Sequence, residues 1–561
     1  MDETTTVADA ITQVARRHAR RQALVWRDGR ITYSELLRRI DAVAHGCWRW
    51  GLRHGDRVAL LLPNQPEYIY AFFGVTKAGC VVVPINPTFR RRELEQILAD
   101  SEAVMVIAAP EVRGYSLLAV LDAMRPGLPF VRHFVFVAES VPPWAMPYRD
   151  LARPEDQPFL PPTPVTVDDL FGLIYTSGTT GTPKGTMHTH GTIMAPILAG
   201  EEMRRRLFHF SPSFVWRLVR ILRLYGPRFL RWGSRQQTFL AIAPYHAMAG
   251  YSMILHSLLY GYRFILLDRF EPRQVLEIVQ REHVNVLSGT PTIFHMLLQV
   301  SDLDRYDLSS LLLADMGAAP CPPSLARQMR RRLGCPVGIS FGATETSGAA
   351  TLTDMTDAEQ LIAETVGRVY PRTELKVVDD ERRVVPPGTV GELAVRSPGI
   401  MKGYYKAPQA TAEVLDAEGW YYTGDLATMD ARGYVRIVGR KKDLIIRGGQ
   451  NIYPVEIEHL LVSHPEVDEA AVVGVPGGVG GETVWAFVKL KAGATADERA
   501  LLDFLRAELA AYKVPDRIRI VPEFTHTATG KIPKYQLVQA VLAEQGDTPP
   551  AAGGDQDARS S

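Results

Sequence analysis

Leu170–Gly185, LFGLIYTSGTTGTPKG, is the stretch on which the reading of this chain turns. Leu170–Ile174 is apolar and predicts a buried strand, and the segment after Gly185 predicts a helix. Between them, Tyr175–Gly185 holds three glycines and five Ser/Thr residues. Glycines let a backbone come close to a ligand, while successive N–H and O–H groups can surround phosphate oxygens. Lys184 adds a mobile positive charge. The loop is not a Walker A sequence, because Lys184 stands between Pro183 and Gly185 and the G-K-[ST] ending is absent.

Working outward, the strand of this loop is one of several. Arg57–Leu62, Cys80–Val83 and Ala103–Ala108 are short apolar runs, with a helical pattern over Glu67–Ala78 between the first two. Continuous apolar strands separated by helices predict parallel sheets covered on both faces. The rhythm returns over 260–345, with runs at Phe264–Leu267 and Val284–Leu287. From about 374 to 440 the pattern turns β-rich with frequent glycine turns. A compact α+β unit follows, with a helix near Pro454–Val462, strands at Ala470–Val475 and Val484–Leu490, and a helix near Asp497–Ala511. The expected architecture is a large N-terminal α/β body over 1–439, including a β-rich subdomain, and a small mobile C-terminal domain over 440–544. The polar, Gly/Pro-rich residues 545–561 predict a disordered tail.

Composition narrows the function. The 63 basic and 62 acidic residues of this 561-residue chain leave a formal charge of +1, which gives no global attraction to nucleic acid. The four cysteines, Cys47, Cys80, Cys321 and Cys335, show no short ligand spacing, so neither a zinc site nor a disulfide framework is expected and a reducing cytoplasm fits. The first twenty residues lack an apolar core of the signal-peptide kind. Ala247–Tyr262, the longest apolar stretch, is shorter than the roughly 20 residues of a membrane span and predicts a core helix or strand pair.

The 175–185 loop resembles the signature of the adenylate-forming superfamily, which holds acyl-CoA synthetases, peptide-synthetase adenylation domains and luciferases. Six further segments match in order: Pro244–Tyr245–His246, the turn Gly317–Ala318–Ala319–Pro320, Phe341–Gly342–Ala343–Thr344–Glu345, Tyr421–Tyr422–Thr423–Gly424–Asp425, Gly439–Asn451 (GRKKDLIIRGGQN), and Thr529–Gly530–Lys531–Ile532. The match runs from about residue 8 to 540. Two positions depart from it: Phe341 stands where tyrosine is usual, and Thr525–His526–Thr527 replaces Pro-x-Thr before Lys531.

The resemblance implies ATP, Mg²⁺ and coenzyme A, and a carboxylic acid activated as its adenylate. Thr176, Ser177, Gly178, Thr179, Thr180, Gly181 and Lys184 would hold the phosphates. Gly317, Ala318, Phe341, Gly342 and Thr344 would line the adenine. Thr176 and Glu345 would ligate the metal, in keeping with a hard cation that takes one or two protein oxygens plus phosphates. Asp425 would meet the ribose, Arg440 the ribose or a phosphate, Lys442 would be the hinge, Gly448 and Gly449 would line the pantetheine channel, and Lys531 would serve the adenylation step. His246 is the gate expected beside the acyl site. His188 and His190 read as structural, since no third ligand accompanies them.

Residues 203–235 add an arginine-rich segment. From Met203 to Leu240 there are nine arginines and no acidic residue. Ser211–Pro212 predicts a helix start and Pro227 a stop. Val215, Leu218, Val219, Leu222 and Tyr225 recur at helical spacing with Arg217, Arg220 and Arg223 interleaved, the pattern either of a core-packed helix with solvated arginines or of a basic amphipathic helix at a membrane surface. The expected protein is thus an acyl-CoA synthetase for a medium- or long-chain fatty acid, cytoplasmic or peripheral at a membrane, and monomeric or a homodimer. The alternatives are an aryl-acid ligase of the cinnamate type and an enzyme loading a carrier protein.

Overall fold

The computed structural model describes residues 1–176, 183–208, 212–227, 229, 236–447, 450–476, 482–527 and 531–545. The chain divides into two compact units, Met1–Thr423 with Thr428–Arg436, and Gly424–Ala427 with Ile437–Ser561. It passes from one to the other within the strands Tyr421–Met429 and Val435–Arg440.

The apolar runs build two sheets in the larger unit. One has seven strands in the order 184–189, 170–176, 81–84, 57–61, 105–108, 133–136 and 146–147. All pairs in it are parallel except the edge pair of Leu170–Thr176 with Lys184–Thr189. The other has nine strands, whose six central members (337–343, 313–316, 286–289, 238–241, 263–265 and 22–26) run parallel. Parallel strands need helical crossovers, and burial on both faces is why the runs are apolar throughout.

The helix Pro66–Lys77 is buried on every side except at Glu67. Its Phe72 ring meets Phe171 of the first sheet edge-on and tilts against Tyr251 of the helix Met248–Leu259. Lys77 enters this core only because Asp41 pairs with its ammonium; a buried charge without such a partner would be costly. The long apolar stretch at 247–262 is therefore a core helix. A second apolar layer packs the opposite face of the nine-stranded sheet, where Leu287, Ala314, Met316 and Val337 meet residues of the helices Pro272–Glu282 and Pro323–Leu333.

In the smaller unit the strands Val467–Pro476, Glu482–Leu490 and Arg517–Ile520 form a mixed sheet. Ile457 and Leu461 of one helix and Leu501 and Leu505 of another cover one face. Val541 of the last helix joins Val473 and Phe487 on the other. Residues 546–561, expected as a disordered tail, lie outside the described residues.

Candidate active site

In an open parallel sheet, ligands bind beyond the carboxyl ends of the strands. Here that edge gathers three segments far apart in sequence. Strand 238–241 leads into Pro244–Tyr245–His246, strand 313–316 into Gly317–Pro320, and strand 337–343 into Thr344–Glu345. Each segment is held by a specific contact. The Asn64 side chain accepts from the Tyr245 N–H at 3.0 Å and donates to the carbonyls of Ala243 and Leu267. A Cβ on Gly250 would lie 2.1 Å from the Pro244 carbonyl oxygen, so glycine alone lets the next helix start so close. In the Gly317 turn, Ala318 adopts φ +67°, a conformation that costs a residue with a Cβ of order 1–3 kcal/mol and tends to cluster at ligand sites.

The loop carrying Glu345 is tied to the hairpin of the signature segment. Thr176 pairs with Lys184 in the antiparallel edge, and Tyr404 bridges Thr186 on its other side. The Tyr404 hydroxyl donates to Glu345 Oε1 at 2.9 Å, and Lys184 Nζ lies 5.4 Å from the centre of the Tyr404 ring. One carboxylate, the Tyr404 hydroxyl and one ammonium thus share a neighbourhood, with Thr176 set opposite Lys184 in the hairpin. A carboxylate and a hydroxyl supply hard oxygen donors of the kind Mg²⁺ accepts alongside phosphates. Tyr404 is missing from the sequence reading; its only signal there is an aromatic pair after Gly403. Ser177, Gly178, Thr179, Thr180 and Gly181 lie outside the described residues.

The two histidines at 188 and 190 are buried and neutral. Burial pushes His188 down to about 3 and His190 to about 4. The Thr186 hydroxyl donates to the Ile174 carbonyl, so it accepts from His188 Nε2–H at 3.1 Å, and His188 Nδ1 accepts from the Ser347 hydroxyl at 2.9 Å. His188 therefore joins the signature hairpin to the loop that carries Glu345. Burial also lowers His246 to about 4, so at neutral pH its imidazole carries no charge.

Asp315 is the unforeseen titratable group. Burial raises its carboxyl to about 6, opposed only by the Ser288 hydroxyl at 3.4 Å. The signal in the sequence is one acidic residue inside the otherwise apolar run Leu311–Met316.

The smaller unit carries its own group. Arg440 Nε donates to Asp425 Oδ1 at 3.0 Å. Burial raises the Asp425 carboxyl, and the charges of Arg440 and Lys531 oppose that rise. Lys442 lies in a short turn, Lys441–Asp443, between two strands. The Lys531 N–H donates to Thr527 Oγ1 at 3.1 Å and its carbonyl accepts from the Thr527 N–H at 2.8 Å. In the departing Thr525–His526–Thr527 segment, His526 bonds Glu469 of the strand Val467–Pro476 at 2.7 Å, and Thr527 closes the turn with Lys531. Gly448, Gly449, Thr529 and Gly530 lie outside the described residues.

The model of the AMP-binding enzyme family matches residues 11–405, and that of the AMP-binding enzyme C-terminal domain matches 456–531. The chain is an AMP-binding enzyme. Among relatives of this enzyme, a feruloyl-CoA synthase of Amycolatopsis sp is 36% identical over 508 residues, covering 90% of this chain and 93% of its own. The medium-chain fatty-acid–CoA ligase of Escherichia coli is 32% identical, covering 96% and 90%. The crystal structure of the anthranilate CoA ligase AuaEII with anthranoyl-AMP superposes with a TM-score of 0.84 at 27% identity, covering 97% of this chain and 99% of that one. The AMP-binding enzyme is accordingly a ligase of the AMP-forming acyl-CoA type.

Proposed function

We propose that this ligase joins a hydrophobic carboxylic acid to coenzyme A in two steps, with the residues above in the roles their resemblance implies. In the first, a carboxylate oxygen attacks the α-phosphorus of ATP, the bond to the bridging oxygen breaks, and pyrophosphate leaves. In the second, the thiolate of coenzyme A attacks the acyl carbon and AMP leaves. The observation that carries this reading is the Glu345–Tyr404–Lys184 group, positioned with the signature hairpin at the sheet edge. An anion attacking a polyanion needs fixed positive charge where negative charge develops. Lys184 supplies such charge, and Mg²⁺ held by Glu345 and Thr176 would supply more. A neutral His246 suits an acyl gate, because it does not hold the substrate carboxylate as a counter-ion. Phe341 keeps an aromatic face for adenine. Asp425 and Arg440 would hold the ribose.

Relatives named for fatty and for aryl acids both support an acid with an apolar body. The test is AMP release across alkanoates of increasing length and aryl acids, with and without free coenzyme A. Release that depends on coenzyme A and yields a thioester is the expected result. Pyrophosphate exchange without thioester formation would instead make this an enzyme that loads a carrier protein.

The arginine-rich helix Pro212–Tyr225 supports a second contact, with an anionic lipid surface. Its outward arc carries Val215, Trp216, Val219 and Leu224, which are 44%, 59%, 42% and 45% exposed, with Arg220 and Arg223 among them. Arg220 stacks over Trp216 at 5.2 Å. Arg217, grouped with these by spacing alone, is a correction: it turns inward to pair with Asp354 at 2.6 Å. Val215 and Val219 likewise leave the inward stripe of Leu218, Leu222 and Tyr225. An exposed apolar strip flanked by arginines, in a stretch without acidic residues, complements anionic headgroups. No helix among the described residues is long and apolar enough to cross a membrane. Co-sedimentation with phosphatidylglycerol vesicles is expected, and should be lost on combining Trp216→Ser, Arg220→Glu and Arg223→Glu. Failure of the parent to sediment, or equal sedimentation of both, would count against lipid docking.

A further inference from the structure

Asp315 sits on a rung of the nine-stranded sheet whose other members are small. Ala241, Ser288, Asp315 and Gly338 are consecutive Cα partners across four parallel strands. Side chains in register project to the same face. The alternate residues Leu287, Ala314, Met316 and Val337 belong to the apolar layer on the opposite face. Ala241 packs instead in the core that holds Tyr251, Ile254 and Leu258 of the helix Met248–Leu259. Asp315 therefore faces that helix, which begins two residues after His246. At about 3.3 Å per residue, the carboxyl lies one strand repeat below the Gly317 turn.

The surroundings are polar without being cationic. Asp315 is enclosed by protein yet keeps accessible surface, and it makes no ion pair among the described residues. Its one hydrogen bond among the described residues, from Ser288 Oγ at 3.4 Å, is long. On the neighbouring strand, Gly338 brings its Cα close to Oδ1 (a Cβ there would be 3.1 Å away). Beyond Ser288 on the other side, the rung ends in the methyl group of Ala241. Tyr370 is close enough that the Asp315 charge adds to burial in raising its phenol, and its hydroxyl makes no hydrogen bond to a described residue. Gly200 leaves room for the Tyr370 and Tyr260 hydroxyls, which a Cβ would meet at 2.8 and 2.5 Å. A carboxylate accepts hydrogen bonds and cannot give them, and leaving one unsatisfied in a closed site is costly.

We propose that Asp315, with the Ser288 hydroxyl bonded to it, is a polar subsite in the wall of the acyl site, and that the acid activated here carries a hydroxyl or amino donor on its apolar body. This rests on the ligase reading above. A plain alkyl or phenyl group at this wall would strip the carboxyl of water and return nothing. A donor at the same place completes its hydrogen bonds.

The experiment compares kcat/KM for acids paired by one hydroxyl, para-hydroxycinnamate with cinnamate and ω-hydroxydodecanoate with dodecanoate. The parent is expected to favour the hydroxylated member of at least one pair by about 10- to 100-fold, the range for a hydrogen bond to a charged group. Asp315→Leu should bring that ratio to about one. Asp315→Asn, which keeps the shape should the leucine variant fail to fold, should lower it several-fold while the KM for ATP stays put. A parent that treats both members of every pair alike would overturn the inference and leave the ligase reading standing. So would a ratio that survives in the asparagine variant, or a variant whose only change is a raised KM for ATP. Pyrophosphate exchange silent with every acid would bring down the ligase reading, and the inference with it.

Discussion

Lys531→Ala is expected to slow acyl-adenylate formation by about 10²–10³, the typical loss when one preorganised contact to developing charge is removed. The same variant, given pre-made acyl-adenylate, should form acyl-CoA at near parental speed. The asymmetry follows from the proposed roles. The Lys531 ammonium would bridge the attacking carboxylate and the α-phosphate, whereas thioester formation develops no charge there. A hinge at Lys442 predicts the opposite bias for Lys442→Pro, because fixing φ restricts the few residues that must absorb a domain rotation. Single-turnover measurements of the two half-reactions decide the matter. Equal slowing of both by Lys531→Ala, or of neither, would overturn the alternation of two orientations in this protein.

Glu345→Gln should cost adenylation at least about 10²-fold, since it removes a charge from the proposed phosphate and metal site while keeping the shape that Tyr404 grips. The apparent requirement for Mg²⁺ should rise at the same time. Tyr404→Phe provides the contrast. It leaves the Glu345 charge intact and removes one hydrogen bond to it, worth about 1.5–3 kcal/mol, so a loss of roughly 10- to 100-fold at unchanged metal dependence is expected. Titrating activity against Mg²⁺ for the two variants separates a ligand from a positioning residue. If both variants shifted the Mg²⁺ requirement alike, the division of labour drawn between them would fail.

Much of this could be read from the chain before any coordinate. The periodicity of Arg57–Leu62, Cys80–Val83 and Ala103–Ala108 gave parallel strands, because a strand buried on both faces must be apolar at every position. The helix at 66–77 was legible for the same reason. Residue types at the phosphate loop, at Glu345 and at Asp425 pointed to nucleotide chemistry because such sites admit few alternatives. Legibility failed where a side chain's neighbours come from distant segments. Spacing grouped Arg217 with Arg220 and Arg223, but spacing cannot see Asp354, 137 positions later in the chain, which draws Arg217 inward. Tyr404 gave no clear signal, because its meaning depends on Glu345 and Lys184, which the fold alone brings to it.

By itself, then, the sequence determined the class of the fold, the membership of the family and the order of its motifs, all properties carried by local pattern and residue type. Which groups are charged and which are paired was decided by tertiary structure. His188 is neutral and bonded to Ser347, and Asp315 faces the core helix with no ion pair among the described residues, because burial and long-range contact set the free energy of each ionised form. No window of neighbouring residues contains that information.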